Sequence, residues 1–241
     1  MAQELRRAWR KPGFFRFARF DGEGPLKEQS DIPAASRRIV IMGNGGSGKT
    51  WLALRLAERF GLPLAHLDDV HWEPGRYGIA RDRAVVHEDV RTIAAGEAWL
   101  IEGVYGLYVN IALPRTTTLV WLDLSEDECV ANIRRRGIQG GGSQSAFDGL
   151  IKWVSEYRVR KNNWNSFDAH LKLFESFSGH KTRLTNRDEI NVFMESFLPM
   201  SADQHDWVKA AAQRAHSTAD AFNVVIEAVE RAEMDPDIRR R

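Results

Sequence analysis

The segment GNGGSGKT at positions 43–50 carries the clearest chemical signal in the sequence. Gly43, Gly48, Lys49 and Thr50 match the spacing G-x-x-x-x-G-K-[ST]. Glycines let consecutive backbone N–H groups approach phosphate oxygens, a lysine at this place reaches the β- and γ-phosphates, and the following hydroxyl binds Mg²⁺. We therefore predict that this loop binds a nucleoside triphosphate with magnesium, through Gly43, Asn44, Gly45, Gly46, Ser47, Gly48, Lys49 and Thr50.

Acidic side chains lie near the ends of the later apolar runs. Asp68 and Asp69 follow the second run, Glu102 follows the third, and Asp123 lies near the end of the fourth. In a parallel sheet, ligands collect outside the carboxyl ends of the strands. Asp68 is therefore predicted to orient an acceptor hydroxyl or to take its proton, with a helix cap or turn residue as the alternative. Asp123 is predicted to support the magnesium ion through water.

His71 is a candidate substrate contact, because it lies close beyond Asp68 along the chain. A structural histidine is the alternative. A metal site built from His66, Asp68 and His71 is a weaker alternative, since strand positions alternate in facing and no cysteine joins the group. The predicted substrate-binding residues are Asp68, His71, Glu102 and Gly103.

These side chains need a scaffold, and the hydrophobic pattern supplies one. From Arg37 onward, short apolar runs alternate with longer helical patterns, which is typical of a parallel sheet covered by helices. We predict a three-layer α/β/α fold with a five-stranded parallel sheet. A first helix, from about Gly48 to Phe60, should end at Gly61, and a second should run from about Arg81 to Ala95. The predicted strands are 38–43, 62–68, 98–103, 117–124 and 181–186.

A long insert, residues 125–180, separates the last two predicted strands and should contain two helical stretches around Gly140–Gly142. Kinases commonly close an arginine-bearing segment over the phosphates. Residues of about 134–161 are predicted to form such a lid, with a solvated basic face as the alternative. The predicted phosphate contacts are Arg136 and one of the pair Arg158 and Arg160.

Two flanking regions complete the chain. Residues 1–36 form a basic and aromatic arm with a linker, which we expect to pack on the body; a presequence or a nucleic-acid arm are the alternatives. Residues 200–241 are predicted to form a helical extension. That extension resembles a ribbon-helix-helix DNA-binding module, but its leading segment lacks the basic or amide side chains that read bases.

The overall composition favours a soluble protein with a small-molecule partner. Thirty-four basic and thirty-three acidic residues give a net charge of +1, so the composition does not point to nucleic acid or a membrane. The single cysteine, Cys129, excludes an internal disulfide and is typical of a reducing compartment. We expect a cytoplasmic protein, monomeric or homodimeric.

Several stretches resemble one family. HLDDVHWEPG (66–75) resembles the H-L-D-x-[IV]-H-x-x-P-G stretch of the adenylate-kinase-like proteins called FlaR or DNA topology modulation proteins. WLIEGVY (99–105) is similar to their W-[VI]-I-D-G-N-Y, and LIKWVSEY (150–157) to their insert helix. TRLTNRDEINVFMESF (182–197) is similar to their closing strand, loop and helix, so the resemblance spans about residues 37–199.

The resemblance implies a nucleoside-monophosphate-kinase fold that uses ATP and Mg²⁺. It also implies that Asn186 and Arg187 contact the adenine base. The chain departs from the family pattern at three places. Glu102 stands where the family usually has aspartate, Val104 where it has asparagine, and Asn132 where it has the first arginine of the lid helix.

Together these features predict a phosphotransferase that moves the γ-phosphate of ATP to a small hydroxyl or phosphate acceptor. A nucleotide-gated binding protein or DNA-associated ATPase without kinase chemistry is the alternative. The predicted catalytic residues are Lys49, Asp68, Arg136, Arg158 and Arg160.

Overall fold

A five-stranded sheet forms the centre of the computed structural model, which describes residues 37–74, 76–138 and 143–196 of the 241-residue chain. Its strands run parallel in the order β2-β5-β1-β6-β7. Five strands were predicted, and the sheet confirms all five. They are β1 Arg38–Gly43, β2 Leu64–His66, β5 Trp99–Gly103, β6 Thr118–Leu122 and β7 His180–Leu184.

The described residues also form eight helices. Their bounds are α1 Lys49–Phe60, α2 Leu67–His71, α3 Arg83–Ala94, α4 Gly106–Ala112, α5 Glu126–Arg136, α6 Gln144–Ser155, α7 Phe167–Ser176 and α8 Arg187–Glu195. A single 3₁₀ turn, Leu113–Arg115, follows α4. Within the described ranges, none of these helices combines the length and apolar character needed to cross a membrane.

The two faces of the sheet bury different sets of side chains, because successive strand residues point to opposite sides. One face packs against residues of α3, α4 and α7, and this cluster includes Val40, Met42, Trp99, Ile101, Leu119 and Trp121. On the other face, α1 contacts β1, β2 and β5 and buries Leu52 and Leu56. The predicted α/β class, with helices on both faces, is confirmed.

Local signals set the ends of α1 and α3. Gly61 ends α1 in the left-handed conformation, with φ of 62°, as the Gly-Leu-Pro stop predicts. Asp82 caps α3, because its side chain accepts hydrogen bonds from the N–H groups of Ala84 and Val85. Helical spacing groups Val85 with Val86, Val90 and Ile93, but Val85 is 47% exposed whereas the other three are buried. The cap starts the helix later than predicted.

The region after β2 differs from the expectation of a simple strand and loop. The five-residue helix α2 is followed by an antiparallel hairpin of β3 (Trp72–Glu73) and β4 (Arg76–Ala80). The predicted second strand, 62–68, is shortened accordingly, since Leu67 and Asp68 already belong to α2. Short strands of this kind leave little periodicity to detect.

The insert between β6 and β7 contains three helices, α5, α6 and α7, where two helical stretches were expected. Along the chain, α5 precedes and α6 follows the glycines at 140–142. These glycines, the arm 1–36 and the extension 200–241 lie outside the described residues. The chain divides into two compact units after Arg187, and the described part of the second unit buries Ile190 and Phe193.

Candidate active site

A cavity of about 730 Å³ opens at the carboxyl ends of β1, β2 and β5. This is the edge of a parallel sheet where ligands bind in such folds. The cavity brings together the glycine-rich loop, α2, the segment after β5, and the helices α5 and α6. Its lining includes Gly45, Gly46, Gly48, Lys49, Thr50, Trp51, Asp68, His71, Trp72, Glu102, Val104, Tyr105, Asn132, Arg135, Arg136, Trp153, Asn165 and Arg187.

The loop backbone is fitted closely to α5. Gly46 has φ of 77°, and a Cβ there would lie 2.3 Å from the backbone oxygen of Cys129. Only glycine satisfies both the left-handed backbone and this close approach. The Asn132 side chain donates a 3.0 Å hydrogen bond to the backbone oxygen of Gly46. The loop therefore takes its shape from the helix behind it.

Asn44 ties the same loop to α6. Its side chain is fully buried, donates to the backbone oxygen of Val154 over 2.9 Å, and accepts from the N–H of Gly45 over 2.8 Å. Buried polar groups with satisfied hydrogen bonds fix one arrangement of the surrounding backbone. Asn44 thus links the phosphate loop to the insert, a role that the motif alone does not reveal.

Lys49 and Ser47 occupy the interior of the loop. The Lys49 ammonium is 8% exposed and donates to the backbone oxygen of Asn44 over 2.8 Å. An ammonium group held at the N-terminus of α1 is placed to bind an anion together with the backbone N–H groups. The Ser47 hydroxyl is buried and has no hydrogen-bond partner among the described residues.

Thr50 lies beside a carboxylate from β5. Its hydroxyl donates to Glu102 Oε1 over 3.0 Å, and His66 Nδ1 donates to the same oxygen over 2.7 Å, because a carboxylate can only accept. Burial acts to raise the pKa of Glu102, but the hydrogen bond from His66 and the charge of Lys49 outweigh it and lower the pKa. The same hydrogen bond raises the pKa of His66.

Aromatic rings form the wall beside Asp68. The Tyr105 hydroxyl donates to Asp68 Oδ1 over 2.6 Å, which fixes the carboxylate at one oxygen. The His71 ring lies 4.3 Å from that of Trp72 and 4.6 Å from that of Tyr105, while its Nδ1 lies 2.8 Å from the Tyr108 hydroxyl. Burial lowers the pKa of His71, against the charge of Asp68, so the neutral imidazole is favoured.

A buried hydrogen-bond chain supports the segment that carries Val104 and Tyr105. Trp121 Nε1 donates to the Tyr157 oxygen over 3.2 Å, and Tyr157 lies 2.6 Å from His170 Nδ1. His170 Nε2 donates to the backbone oxygen of Val104 over 3.0 Å, because a carbonyl can only accept. Burial lowers the pKa of His170 to about 3. The neutral histidine therefore connects the insert to the segment of the cavity wall that carries Val104 and Tyr105.

The predicted arginines divide into two groups. Arg136 lines the cavity, as do Arg135 and Arg187. The structure does not bring Arg158 or Arg160 to the cavity lining. Arg158 pairs with Asp123 and Glu126, while Arg160 donates to the backbone oxygens of Asn165 and Trp153 and lies over the Trp153 ring.

Asp123 is likewise absent from the residues that line the cavity. Its buried carboxylate pairs with Arg158 over 2.7 Å and with Arg183 over 2.5 Å. Burial raises the pKa of Asp123, and hydrogen bonds from Arg183 oppose that shift. Both carboxylate oxygens are therefore engaged by guanidinium groups. Glu102, which was predicted to contact substrate, is the carboxylate that lies next to Thr50.

Two further predicted residues, Gly103 and Asn186, are absent from the residues that line the cavity. Gly103 instead packs on α2, where an added Cβ would lie 2.7 Å from the Cβ of Leu67. Arg187, the other predicted base contact, lines the cavity near Gly48 and pairs with Glu128 over 3.1 Å.

Trp72, Tyr105 and Trp153 line the cavity, yet their residue types alone did not single them out. Tyr105 lies three residues beyond Glu102, after the third apolar run, and this position could have suggested a site residue. The histidines of the considered metal site have separate partners, Glu102 for His66 and Tyr108 for His71. Among the described residues, no three His, Cys, Asp or Glu side chains form a metal-binding group.

Comparisons with known proteins give distant likenesses in structure. No protein-family model matches the chain, and no curated protein sequence matches it. A shikimate kinase from Bacteroides thetaiotaomicron is 18% identical, with a TM-score of 0.42, over 66% of this chain and 95% of that one. A gluconokinase from Sinorhizobium meliloti is 14% identical, with a TM-score of 0.44, over 83% and 98% of the two chains. A sugar kinase from Janibacter is 16% identical, with a TM-score of 0.34, over 68% and 96%.

At these identities and scores, the likenesses assign no activity to this chain. The FlaR resemblance also stays a prediction, since no family model matches. The chain's own geometry establishes an α/β fold in which a glycine-rich Gly-Lys-Thr loop faces a carboxylate- and aromatic-lined cavity.

Proposed function

We propose that the protein is an ATP- and Mg²⁺-dependent phosphotransferase that phosphorylates a small molecule. The observation that carries the proposal is the shared cavity of the loop lysine Lys49, the hydroxyl of Thr50 and the carboxylate of Asp68. Phosphoryl transfer needs cations at the phosphates and a group that orients the attacking oxygen. Both requirements are present within one cavity.

The phosphate end of the cavity is the loop itself. Its backbone N–H groups and the N-terminus of α1 attract a polyanion, and Lys49 supplies a full charge. Arg135, Arg136 and Arg187 line the same cavity, so together with Lys49 four cationic side chains border the space proposed for a triphosphate. Arg136 keeps the lid role predicted for it, while Arg158 and Arg160 would need to leave their present partners to act on phosphate.

The residues present fit magnesium. Mg²⁺ prefers oxygen ligands and usually keeps several waters, and the exposed Thr50 hydroxyl beside the Glu102 carboxylate is such a donor set. When bound, the ion would neutralise negative charge on the phosphates. Within this proposal Glu102 takes the place next to the ion that was predicted for Asp123, because Asp123 is held by two arginines.

Asp68 orients the acceptor. Tyr105 occupies one carboxylate oxygen, which leaves the other to accept a hydrogen bond from an acceptor hydroxyl and then its proton. His71 and Trp72, on the same wall, supply ring surface against which an acceptor can pack. Asn186 and Arg187 are proposed as contacts to the adenine base on the family resemblance.

Product analysis tests the proposal. Purified protein is incubated with Mg²⁺, ATP labelled at the γ-phosphate, and separate acceptors: nucleoside monophosphates, shikimate and sugars. Transfer of label to an acceptor is expected, and the Lys49→Ala variant should transfer none. Calorimetric titration with ATP, ADP and GTP, with and without Mg²⁺, gives an independent measure. Absence of nucleotide binding under all of these conditions would contradict the proposal.

A nucleotide-gated binding protein without kinase chemistry is the second candidate. It is favoured by the positions of Arg158 and Arg160, which bind other groups of the protein and do not line the cavity. These two arginines of the predicted lid therefore do not contact the proposed phosphate site in this structure. The same incubation separates the two functions. Slow release of labelled inorganic phosphate, with no labelled acceptor from any class, supports the second.

A further inference from the structure

The charged side chains of the cavity are distributed unevenly. The cations belong to the glycine-rich loop and its neighbours: Lys49 lies inside the loop, and Arg135 donates to Asn132, which in turn holds Gly46. The guanidinium of Arg187 comes within 3.2 Å of the place where a Gly48 side chain would begin. The positive charge is therefore concentrated at the phosphate end.

The opposite wall has a different character. It consists of Asp68, His71 and Trp72 from the segment after β2, together with Val104 and Tyr105 from the segment after β5. Among the described residues that line the cavity, none of those on this wall is a lysine or an arginine. His71 does not supply the missing positive charge, because burial lowers its pKa and favours the neutral ring. The only full charge on this wall is the carboxylate of Asp68.

Arginines near this wall have other partners. Arg81 donates to the backbone oxygen of Val70 over 2.9 Å and pairs with Asp89 over 2.8 Å. Arg55 lies over the Trp51 ring at 4.0 Å and donates to the Trp51 backbone oxygen. Neither arginine belongs to the cavity lining. Neither guanidinium group therefore contributes a cation to the cavity lining.

We propose that the phosphate acceptor is an uncharged ring compound that carries hydroxyl groups, such as a sugar or a nucleoside, and that this wall discriminates against acceptors bearing a carboxylate or a phosphate. The inference rests on the proposed function and narrows its substrate class. A partly desolvated anion beside the carboxylate of Asp68 would be repelled and would find no compensating cation. An uncharged ring packs on Trp72 and His71, while its hydroxyl binds Asp68.

The reaction balances with these groups. The acceptor hydroxyl oxygen forms a bond to the γ-phosphorus of ATP, and the bond from that phosphorus to the β–γ bridging oxygen breaks. ADP leaves with the electron pair of that bond. The hydroxyl proton passes to the free oxygen of Asp68 and from there to solvent. The products are the phosphorylated acceptor, ADP and one proton.

Matched pairs of acceptors test the proposal, since the two members of a pair differ in charge at one group. Suitable pairs are glucose with glucuronate, cytidine with cytidine monophosphate, and methyl shikimate with shikimate. Binding of each is measured by calorimetry or by tryptophan fluorescence, with the protein saturated by Mg²⁺ and a non-hydrolysable ATP analogue. In at least one pair, we expect the uncharged member to bind at least tenfold more tightly than its anionic counterpart.

A variant that adds a cation to the wall gives a second measurement. Val104→Lys should bring the binding of the anionic member of the preferred pair at least to that of the uncharged one. Ile79→Lys is the matched control, because Ile79 is 52% exposed on β4 and does not line the cavity. The control should keep the wild-type preference. If Val104→Lys fails to fold, the wild-type comparison alone decides the question.

The outcomes separate this inference from the proposed function. Tighter binding of the anionic member, equal binding within every pair, or no binding of any acceptor would overturn the inference. Binding of an uncharged member without transfer of label from ATP would leave the inference standing and contradict the kinase proposal. Transfer of label to an anionic acceptor in preference to its uncharged counterpart would support the kinase proposal and overturn the inference about the acceptor.

Discussion

The Thr50 hydroxyl donates a 3.0 Å hydrogen bond to Glu102, and this contact joins the end of the phosphate loop to the neighbouring strand. The same carboxylate oxygen is 2.7 Å from His66 Nδ1. The hydrogen bond between them lowers the pKa of Glu102 and raises that of His66, so the contact favours the ionised carboxylate and the protonated imidazole. A buried anion is thereby kept next to the hydroxyl that we assign to magnesium.

The first prediction concerns this anion. Glu102→Gln should increase the Mg²⁺ concentration required for half-maximal activity by about 10- to 100-fold, since residues that hold metal ligands typically contribute that much to affinity. Activity is measured against free Mg²⁺ at saturating ATP. Glu88→Gln is the matched control, because the Glu88 side chain is 71% exposed on α3. An unchanged magnesium requirement in Glu102→Gln would remove this residue from the proposed site.

Lys49 gives the second prediction. Lys49→Ala should reduce turnover by at least about 10³-fold and weaken ATP binding, because the ammonium contacts the β- and γ-phosphates in loops of this kind. Turnover is followed by label transfer and binding by calorimetry. Lys152→Ala serves as the control, since its side chain is 79% exposed on α6. Equal ATP affinity in Lys49→Ala and the wild type would refute this role.

The third prediction separates Asp68 from nucleotide binding. Asp68→Asn should lower kcat by about 10²- to 10⁴-fold, the usual range for loss of a general base, and change ATP affinity by less than about twofold. Tyr105→Phe should cause a smaller loss, because the carboxylate keeps its charge but loses the 2.6 Å hydrogen bond that orients it. Asp69→Asn is the control, as this neighbour is exposed and outside the cavity lining. A full loss of ATP binding in Asp68→Asn would place the residue at the phosphates.

Asp123 supplies the fourth prediction. Its replacement should affect stability, whereas replacement of Glu102 should affect the Mg²⁺ requirement. Asp123→Asn should reduce the free energy of unfolding by about 2–3 kcal/mol, because it leaves two guanidinium groups without their shared anion. The value is moderate because both arginine side chains are partly exposed, at 37% and 38%. Unfolding by urea measures the effect. A changed magnesium requirement at unchanged stability would instead support the metal role predicted from the sequence.

The fifth prediction is loss of stability in acid through His170. Its pKa falls from 6.5 to about 3 on folding, so between these values the unfolded chain binds the proton and the folded chain does not. Stability therefore falls as the pH decreases from 6.5 towards 3, and the loss due to this group at pH 5 is about 2 kcal/mol relative to pH 7. Denaturant unfolding of the wild type and His170→Gln at both pH values measures the effect.

His66 acts in the opposite direction. Its raised pKa contributes stability that is present below pH 6.5 and is lost as the pH rises through the folded value. The difference between the wild type and His170→Gln isolates the buried histidine, and exposed His180→Gln is the control. The same loss of stability at pH 5 in His170→Gln as in the wild type would show that another group is responsible.

The residue order of this chain was sufficient to predict the five-stranded sheet and to single out the glycine-rich loop. Gly43 to Thr50 are contiguous, and each strand is a short apolar run, so the information lies within a few neighbouring residues. The left-handed Gly61 that ends α1 and the Asp82 cap of α3 likewise depend on only a few neighbouring residues. Asp68 and His71 line the cavity because the segment after β2 lies at the same edge of the sheet as the glycine-rich loop.

Contacts between distant segments set the roles of the remaining polar groups. Asp123 meets Arg158 at a separation of 35 residues and Arg183 at 60, and these partners turn a predicted metal residue into part of an ion-pair network. Thr50 meets Glu102 at 52 residues, and Tyr105 meets Asp68 at 37. Side chains so far apart are brought together by strand order and helix packing. Spacing along the chain does not encode which carboxylate faces the loop, because that depends on how the whole sheet is assembled.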